Sequence, residues 1–362
     1  MADSKAPGSR FAFIDWTRGL AGIVMLQGHT FDSFARPDLR SQGPFIWSQF
    51  LGGLPPAIFL FLTGMTFAFL MDGQEKRQAS AGERVIAALK RSRYLFLIAF
   101  LFRIQLFVFG YPTSPASELL RVDILNCMGM AMLIFAPMAV FSTYERIKLC
   151  MVLGIFVAGV APIISMLDLS GIPAPLRNYF VPSYKYFAFF PWAAFLAFGM
   201  AGGSALRKVN RDDLSRAMLW TLGFGMVLIM GARYASNLPH SIYPKSDFWL
   251  NSPGLILIKT GIVLIILAVA YVWVHFLGLD RWSLCRQLGT TSLLVYWVHI
   301  EIVYGRWLGS WKNALSVPQI VVFTVLLLGL LTLLSLGRTR LKPVGAFFRA
   351  ASLPQPKSAS GD

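Results

Sequence analysis

About ten stretches of this chain are apolar for long enough to cross a bilayer, near 12–34, 50–71, 91–110, 119–140, 147–166, 186–202, 216–235, 254–277, 287–308 and 318–337. Roughly twenty apolar residues wind into a helix about 30 Å long, which matches the hydrocarbon layer. No water is available there for backbone N–H and C=O groups, so the chain must cross as helices. The 362 residues are 56% hydrophobic and 14% charged, too apolar for a soluble domain to hide. The expected fold is therefore an all-α integral membrane protein, a single bundle of about ten transmembrane helices. The opening MADSKAPGSR lacks the short apolar core and small-residue cleavage site of a secretory signal. The first apolar stretch is expected to remain as a spanning helix.

Net charge +16 invites a nucleic-acid partner, but the excess cations sit in alternate connections between apolar stretches. One set holds Lys5 and Arg10, then Lys76, Arg77, Arg84 and Lys90, then Arg146 and Lys148. It continues with Arg207, Lys208, Arg211 and Arg216, with Arg281 and Arg286, and with Arg338, Arg340, Lys342 and Arg349. The opposite connections, 35–49, 111–118, 167–185, 236–253 and 309–317, are aromatic and Pro-rich. The positive-inside rule assigns the basic set, and both termini, to the cytoplasm, and accounts for the charge without nucleic acid. Residues 1–10 then form a cytoplasmic segment, 11–337 the membrane domain, and 338–362 a basic, partly disordered tail ending in PQPKSASGD. Cys127, Cys150 and Cys285 are too far apart for a metal or redox motif, and no metal site is expected.

The first apolar stretch contains Asp15, Arg18, His29 and Asp32. A charge at bilayer depth costs about 2.5–3.5 kcal/mol on insertion scales, so such groups serve a task or neutralise one another. At about 100° per residue, Arg18 and His29 project within roughly 20° of each other, and Asp15 and Asp32 share the same arc. On this topology His29, Asp32, Arg103, Arg121, Asp123, Lys259, His299 and Glu301 all fall toward the outward side, which predicts one shared polar pocket. An unperturbed histidine titrates near neutrality, and a carboxylate at Asp32 would hold the Nδ1 proton of His29 and leave Nε2 as a general base. The alternative is an imidazole acting as polar glue between helices. Asp15 and Arg18 are spaced to pair, which neutralises both or orients the site.

The run RFAFIDWTRGLA, followed by His29 and Asp32, resembles the bacterial relatives of heparan-α-glucosaminide N-acetyltransferase. It also fits the wider transmembrane acyltransferase superfamily, in which an Arg, ten residues and a His recur; Arg18 and His29 match. FLFLTGMTFAF (59–69), DILNCMGMAM (123–132), FPWAAFLAFGMAGG (190–203), FWLNSPGLILIKTG (248–261) and LGTTSLLVYWVHIEIVY (288–304) are similar to later family segments, in family order. Asn126 stands where relatives often carry Gln, and the large lumenal domain of the animal enzyme is absent. The resemblance implies a multi-pass enzyme of the bacterial inner membrane. It would move an acyl group, expected to be acetyl, from cytosolic acyl-CoA to a hydroxyl or amine of a sugar, glycan or glycolipid on the outer side. It carries the catalytic histidine to His29, the preceding arginine to Arg18 and the late-helix histidine to His299.

CoA needs cations at the cytosolic face, and Lys90, Arg91 and Arg93 lie there, either as phosphate contacts or as ordinary topological charges. Arg103, Arg121, Asp123, Lys259, His299 and Glu301 are candidates for holding the acceptor or the oxyanion, with His29, Asp32, Asp15 and Arg18 at the reacting centre. His29 would act as base or as transient acyl carrier. The rival class is a proton-coupled secondary transporter relaying through His29, Asp32 and Glu301. A homodimer is compatible with either.

Overall fold

The computed structural model describes residues 11–112, 114–278 and 282–351, with 341–351 as backbone alone. The sequence-level assignments for Lys5, Arg10, Arg281, the side chains of Lys342 and Arg349, and the PQPKSASGD tail lie outside the described residues.

The described chain is helical and has no strand, apart from one isolated bridge between Ala35 and Leu315. Its helices are α1 (Ala12–Phe34), α2 (Gly43–Gly52), α3 (Pro55–Lys76), α4 (Ala81–Gly110), α5 (Ile124–Phe135), α6 (Thr143–Met166) and α7 (Ala174–Arg177). They continue with α8 (Phe189–Leu206), α9 (Leu214–Ser236), α10 (Pro253–Val272), α11 (Leu284–Thr290), α12 (Ser292–Tyr304) and α13 (Val317–Ala351). Eight stretches of the described chain are long and apolar enough to cross a membrane, so this is a multi-pass membrane protein. The other two expected spans differ in kind. Helix α1 has 23 residues, but its ionisable and glycine positions dilute its apolar content. The stretch expected at 287–308 breaks at Thr291 into α11 and the 13-residue α12. Helix α13 runs on past 337, so no break in secondary structure marks the expected tail boundary.

Helix starts follow local chemistry. Ser80 with Glu83, Asp123 with Asn126, and Ser142 with Glu145 form reciprocal caps at α4, α5 and α6. Each satisfies N–H groups that have no partner inside the helix. Prolines open α3 and α10, where a missing N–H costs nothing.

Two apolar cores meet at α1. Its first half packs with α3 and α10, with Phe13, Ile14 and Ala21 in a core that extends to α5 and α8. Its second half packs with α11, α12 and α13 through Leu26, Phe31 and Phe34. Close approach depends on small residues, as expected for helices in lipid. A Cβ on Gly19 would fall 1.8 Å from the Cys285 carbonyl oxygen, so α1 and α11 touch backbone to backbone. Similarly, a Cβ on Gly199 of α8 would fall 2.0 Å from the Phe61 carbonyl oxygen of α3.

The end of the bundle at the C-terminus of α3 is tied by ion pairs, each with one buried partner. Asp72 meets Arg207 at 2.7 Å and Lys76 at 3.2 Å, and Glu75 meets Arg146 at 3.1 Å. Arg146, expected in a basic connection between spans, instead lies in the first turns of α6 and is fully buried. Its guanidinium also donates to the Phe141 carbonyl and Thr143 Oγ1, which explains how a cation is held there.

Gly19→Ala is expected to lower the melting temperature in detergent sharply, because the added methyl meets fixed backbone. Gly22→Ala, three residues on with nothing within 4 Å, is expected to melt at or slightly above wild type, gaining up to about 1 kcal/mol of helix propensity.

Candidate active site

Helix α1 carries Asp15, Arg18 and His29 on the wall of a cavity of about 650 Å³. The cavity follows α1 from Phe11 to His29, a rise of about 27 Å at 1.5 Å per residue, close to the hydrocarbon thickness. Its two ends differ in charge. Arg18, Arg91, Tyr94 and Arg207 line the end marked by Phe11 and Phe69. Those two rings stand 5.7 Å apart, and the Arg207 guanidinium lies 5.6 Å over Phe69. His29, Gly52, Pro56 and Phe187 line the opposite end. Between them the wall is mostly apolar, with Thr63, Thr66 and Tyr296 as polar points.

The histidine end is built by two helices. His29 Nδ1 lies 3.0 Å from His299 Nε2 on α12, and His299 Nδ1 lies 2.8 Å from the Val295 carbonyl oxygen. A carbonyl only accepts, so His299 Nδ1 is a donor. Uncharged, His299 then offers Nε2 as an acceptor, and His29 Nδ1 must donate to it. The consequence is that Nε2 of His29 keeps its lone pair, the tautomer a general base needs. His299 is completely buried behind His29, while His29 reaches the cavity.

This arrangement corrects the expected partner of His29. Asp32 does not hold its Nδ1 proton, because His299 already occupies that nitrogen. The Asp32 carboxylate turns toward the end of α12, where the Tyr304 hydroxyl donates to it at 3.0 Å. Tyr304 in turn stands edge-on to the His29 ring at 5.2 Å. Among the described residues no carboxylate hydrogen-bonds either imidazole. Glu301 accepts instead from Trp307 Nε1 at 2.8 Å and Gln105 Nε2 at 3.3 Å. The expected relay through His29, Asp32 and Glu301 is therefore not continuous.

A single shared pocket is also not found. Of the ionisable residues singled out from sequence, Asp15, Arg18, His29 and Arg91 line the cavity along α1. Asp15 and Arg18 pair at 3.1 Å on its wall. Lys90 and Arg93 are exposed on α4 and do not line it, because helical geometry turns them to other faces. Arg103 pairs with Asp123 at 3.0 Å and approaches Glu118 at 3.7 Å, while the more exposed Arg121 meets Glu118 at 3.4 Å. Lys259 donates to the Gly53 carbonyl at 3.0 Å, 5.3 Å over the Trp192 ring. Arg103, Asp123, Glu118 and Arg121 thus pair among themselves, while Lys259 rests on a backbone carbonyl and a ring. No group of three or more His, Cys, Asp or Glu suited to a metal occurs among the described residues.

Three contributors escaped the sequence. Arg207 reads there as a loop charge, yet its contact with Asp72 brings it to the cavity. Tyr296 lies three residues before His299, a spacing that could have flagged it. Nothing in the sequence marks Tyr304 as the partner of Asp32, 272 positions away.

Asp123 does two jobs, capping α5 through Leu125 N–H at 2.9 Å and Asn126 N–H at 3.0 Å, and pairing with buried Arg103. Asp123→Ala is expected to destabilise by about 3–5 kcal/mol, as when one partner of a buried pair is removed. Asp123→Asn keeps a good cap and should melt between Ala and wild type. Thermal unfolding in detergent checks the order of the three proteins.

A family model described as "Heparan-alpha-glucosaminide N-acetyltransferase, catalytic" matches residues 10–235. That stretch holds Asp15, Arg18, His29, Arg91 and Arg207, whereas Lys259, His299 and Glu301 lie beyond it. No curated protein matches the chain. With well over half of its length matched, the chain belongs to the heparan-alpha-glucosaminide N-acetyltransferase catalytic family, a family of membrane acetyltransferases.

Proposed function

We propose that the protein transfers an acetyl group from acetyl-CoA, entering from the cytosol, to a hydroxyl or amine of a sugar or glycan on the outer side of the membrane. One observation carries this reading: a single cavity that follows α1 for about a membrane thickness has Arg18, Arg91 and Arg207 on its wall toward one end and the His29 imidazole at the other. Family membership supports the acetyl chemistry.

In this reading α1 and the α11–α12 pair join the eight apolar spans, giving ten crossings with both termini in the cytoplasm. The basic connections support that orientation. Arg18, Arg91 and Arg207 then face the cytosolic end, where Arg presents paired donors suited to phosphate oxygens. The donor's slender arm would lie against the apolar middle wall and bring the thioester to His29.

There the acceptor's O–H or N–H group attacks the thioester carbon. His29 Nε2 takes the acceptor's proton as the new bond to carbon forms, and the carbon–sulfur bond then breaks. CoA leaves as thiolate and is protonated, which regenerates neutral His29. His299 is a positioning residue: it keeps the Nδ1 proton of His29 in place and disperses charge as the ring becomes cationic. Asp32 accepts from Tyr304, whose ring stands edge-on to His29, so the carboxylate braces the site through Tyr304 without touching the imidazole.

Purified protein given acetyl-CoA, with glucosamine as the acceptor probe, is expected to release free CoA thiol in an acceptor-dependent way. His29→Ala should keep the fold and acetyl-CoA binding while lowering turnover by roughly 10²- to 10⁴-fold. His299→Gln should lower turnover with little change in KM for acetyl-CoA, because it acts through His29. Arg91→Ala and Arg207→Ala should raise KM for acetyl-CoA and largely spare kcat. Unchanged turnover in His29→Ala would contradict the reading.

A further inference from the structure

A second cavity of about 690 Å³ lies on the other face of α3, between α3, α6, α8, α9 and α10. Phe61 and Met65 of α3 line it, while Phe59, Thr63 and Thr66 line the first cavity, so α3 is the wall between the two. The rest of its lining is almost wholly apolar, including Phe224, Leu228, Leu257 and Leu264. Its two hydroxyls are satisfied within their own helices: Thr221 donates to Ala217 O and Thr260 to Ile256 O, each at 2.8 Å.

Water has nothing to bond to in such a space, and an apolar void of this size left empty forfeits the contacts of every side chain around it. The apolar material at hand is lipid. Helix α9 forms one wall and is itself barely covered by protein, with 11% of its spanning window buried. It leans on α10 where Gly225 and Gly261 touch, leaving the side toward α3 and α8 unfilled.

Charge distinguishes which lipid. Leu206, Val209, Ala217 and Met218 line the cavity on either side of the connection between α8 and α9. The segment 207–216 carries four cations and two acids. Arg207 turns inward to Asp72 at 2.7 Å, while Lys208, Arg211 and Arg216 are exposed. Asp213 approaches Arg216 at 3.6 Å, an exposed and loose pair.

We propose that this cavity holds an acyl chain of an anionic glycerophospholipid, whose phosphate rests on the basic α8–α9 connection through Lys208 and Arg211. The site is distinct from the histidine cavity and does not depend on the activity assigned to it. A chain seated there braces α3 and α8 from behind, opposite the face that lines the first cavity.

Delipidated protein in neutral detergent, titrated with phosphatidylglycerol or phosphatidylcholine and followed by native mass spectrometry, tests this. Wild type is expected to retain one phosphatidylglycerol per chain, at least about tenfold tighter than phosphatidylcholine. Ala217→Phe, which projects into the cavity, should lose the bound lipid while melting cooperatively without it. Lys208→Gln combined with Arg211→Gln should bind both lipids alike, which keeps the test decisive if Ala217→Phe does not fold. Equal retention of the two lipids by wild type would overturn the proposal. So would undiminished retention by Ala217→Phe, or an unchanged lipid preference in the double variant.

Discussion

The hydrogen bond between His29 and His299 is the interaction on which the histidine site depends. It ties α1 to α12 within the core that surrounds the second half of α1. It also fixes where protons reside. The Val295 carbonyl dictates the tautomer of His299, which dictates that of His29, so a backbone group one turn away determines which imidazole nitrogen keeps its lone pair. Two polar rings at this depth would be costly alone; each satisfies the other.

Around this bond the bundle is organised by how closely helices approach. Glycines on α1, α3 and α8 bring backbones into contact on one side of each helix, which leaves room on the other. Helix α3 shows the result: it presses on α8 at Gly199, contributes Phe59, Thr63 and Thr66 to the histidine cavity, and turns Phe61 and Met65 to the apolar one. Its C-terminal end is fixed by Asp72 and Glu75 to Arg207 and Arg146, so an arginine of the cavity is held by the same network that anchors the helices.

Much of the architecture was legible because lipid leaves few choices. Long apolar stretches had to become helices, and the ionisable stripe of α1 had to face protein. The positions of Arg18 and His29 on one wall followed from helical periodicity alone. The break at Thr291 was not expected, although Gly289, Thr290, Thr291 and Ser292 interrupt the apolar run there. Partner choice was the least legible part. Asp32 is one turn from His29 in sequence, but a residue brought in by another helix took its place. Arg103 and Asp123 were expected to face a shared pocket and instead neutralise each other, because pairing at 3.0 Å is available at the start of α5. Such outcomes depend on which helices become neighbours, and periodicity within a single helix does not encode that.

Membership of the heparan-alpha-glucosaminide N-acetyltransferase catalytic family rests on residues 10–235, and His299 lies outside them. The proposed chemistry thus joins a helix within the matched region to one beyond it. A structure of the protein with acetyl-CoA bound tests this account most directly. The account predicts the phosphates at Arg18, Arg91 and Arg207 and the thioester beside His29. Density for the donor outside this cavity, or with its acetyl end away from His29, would contradict it.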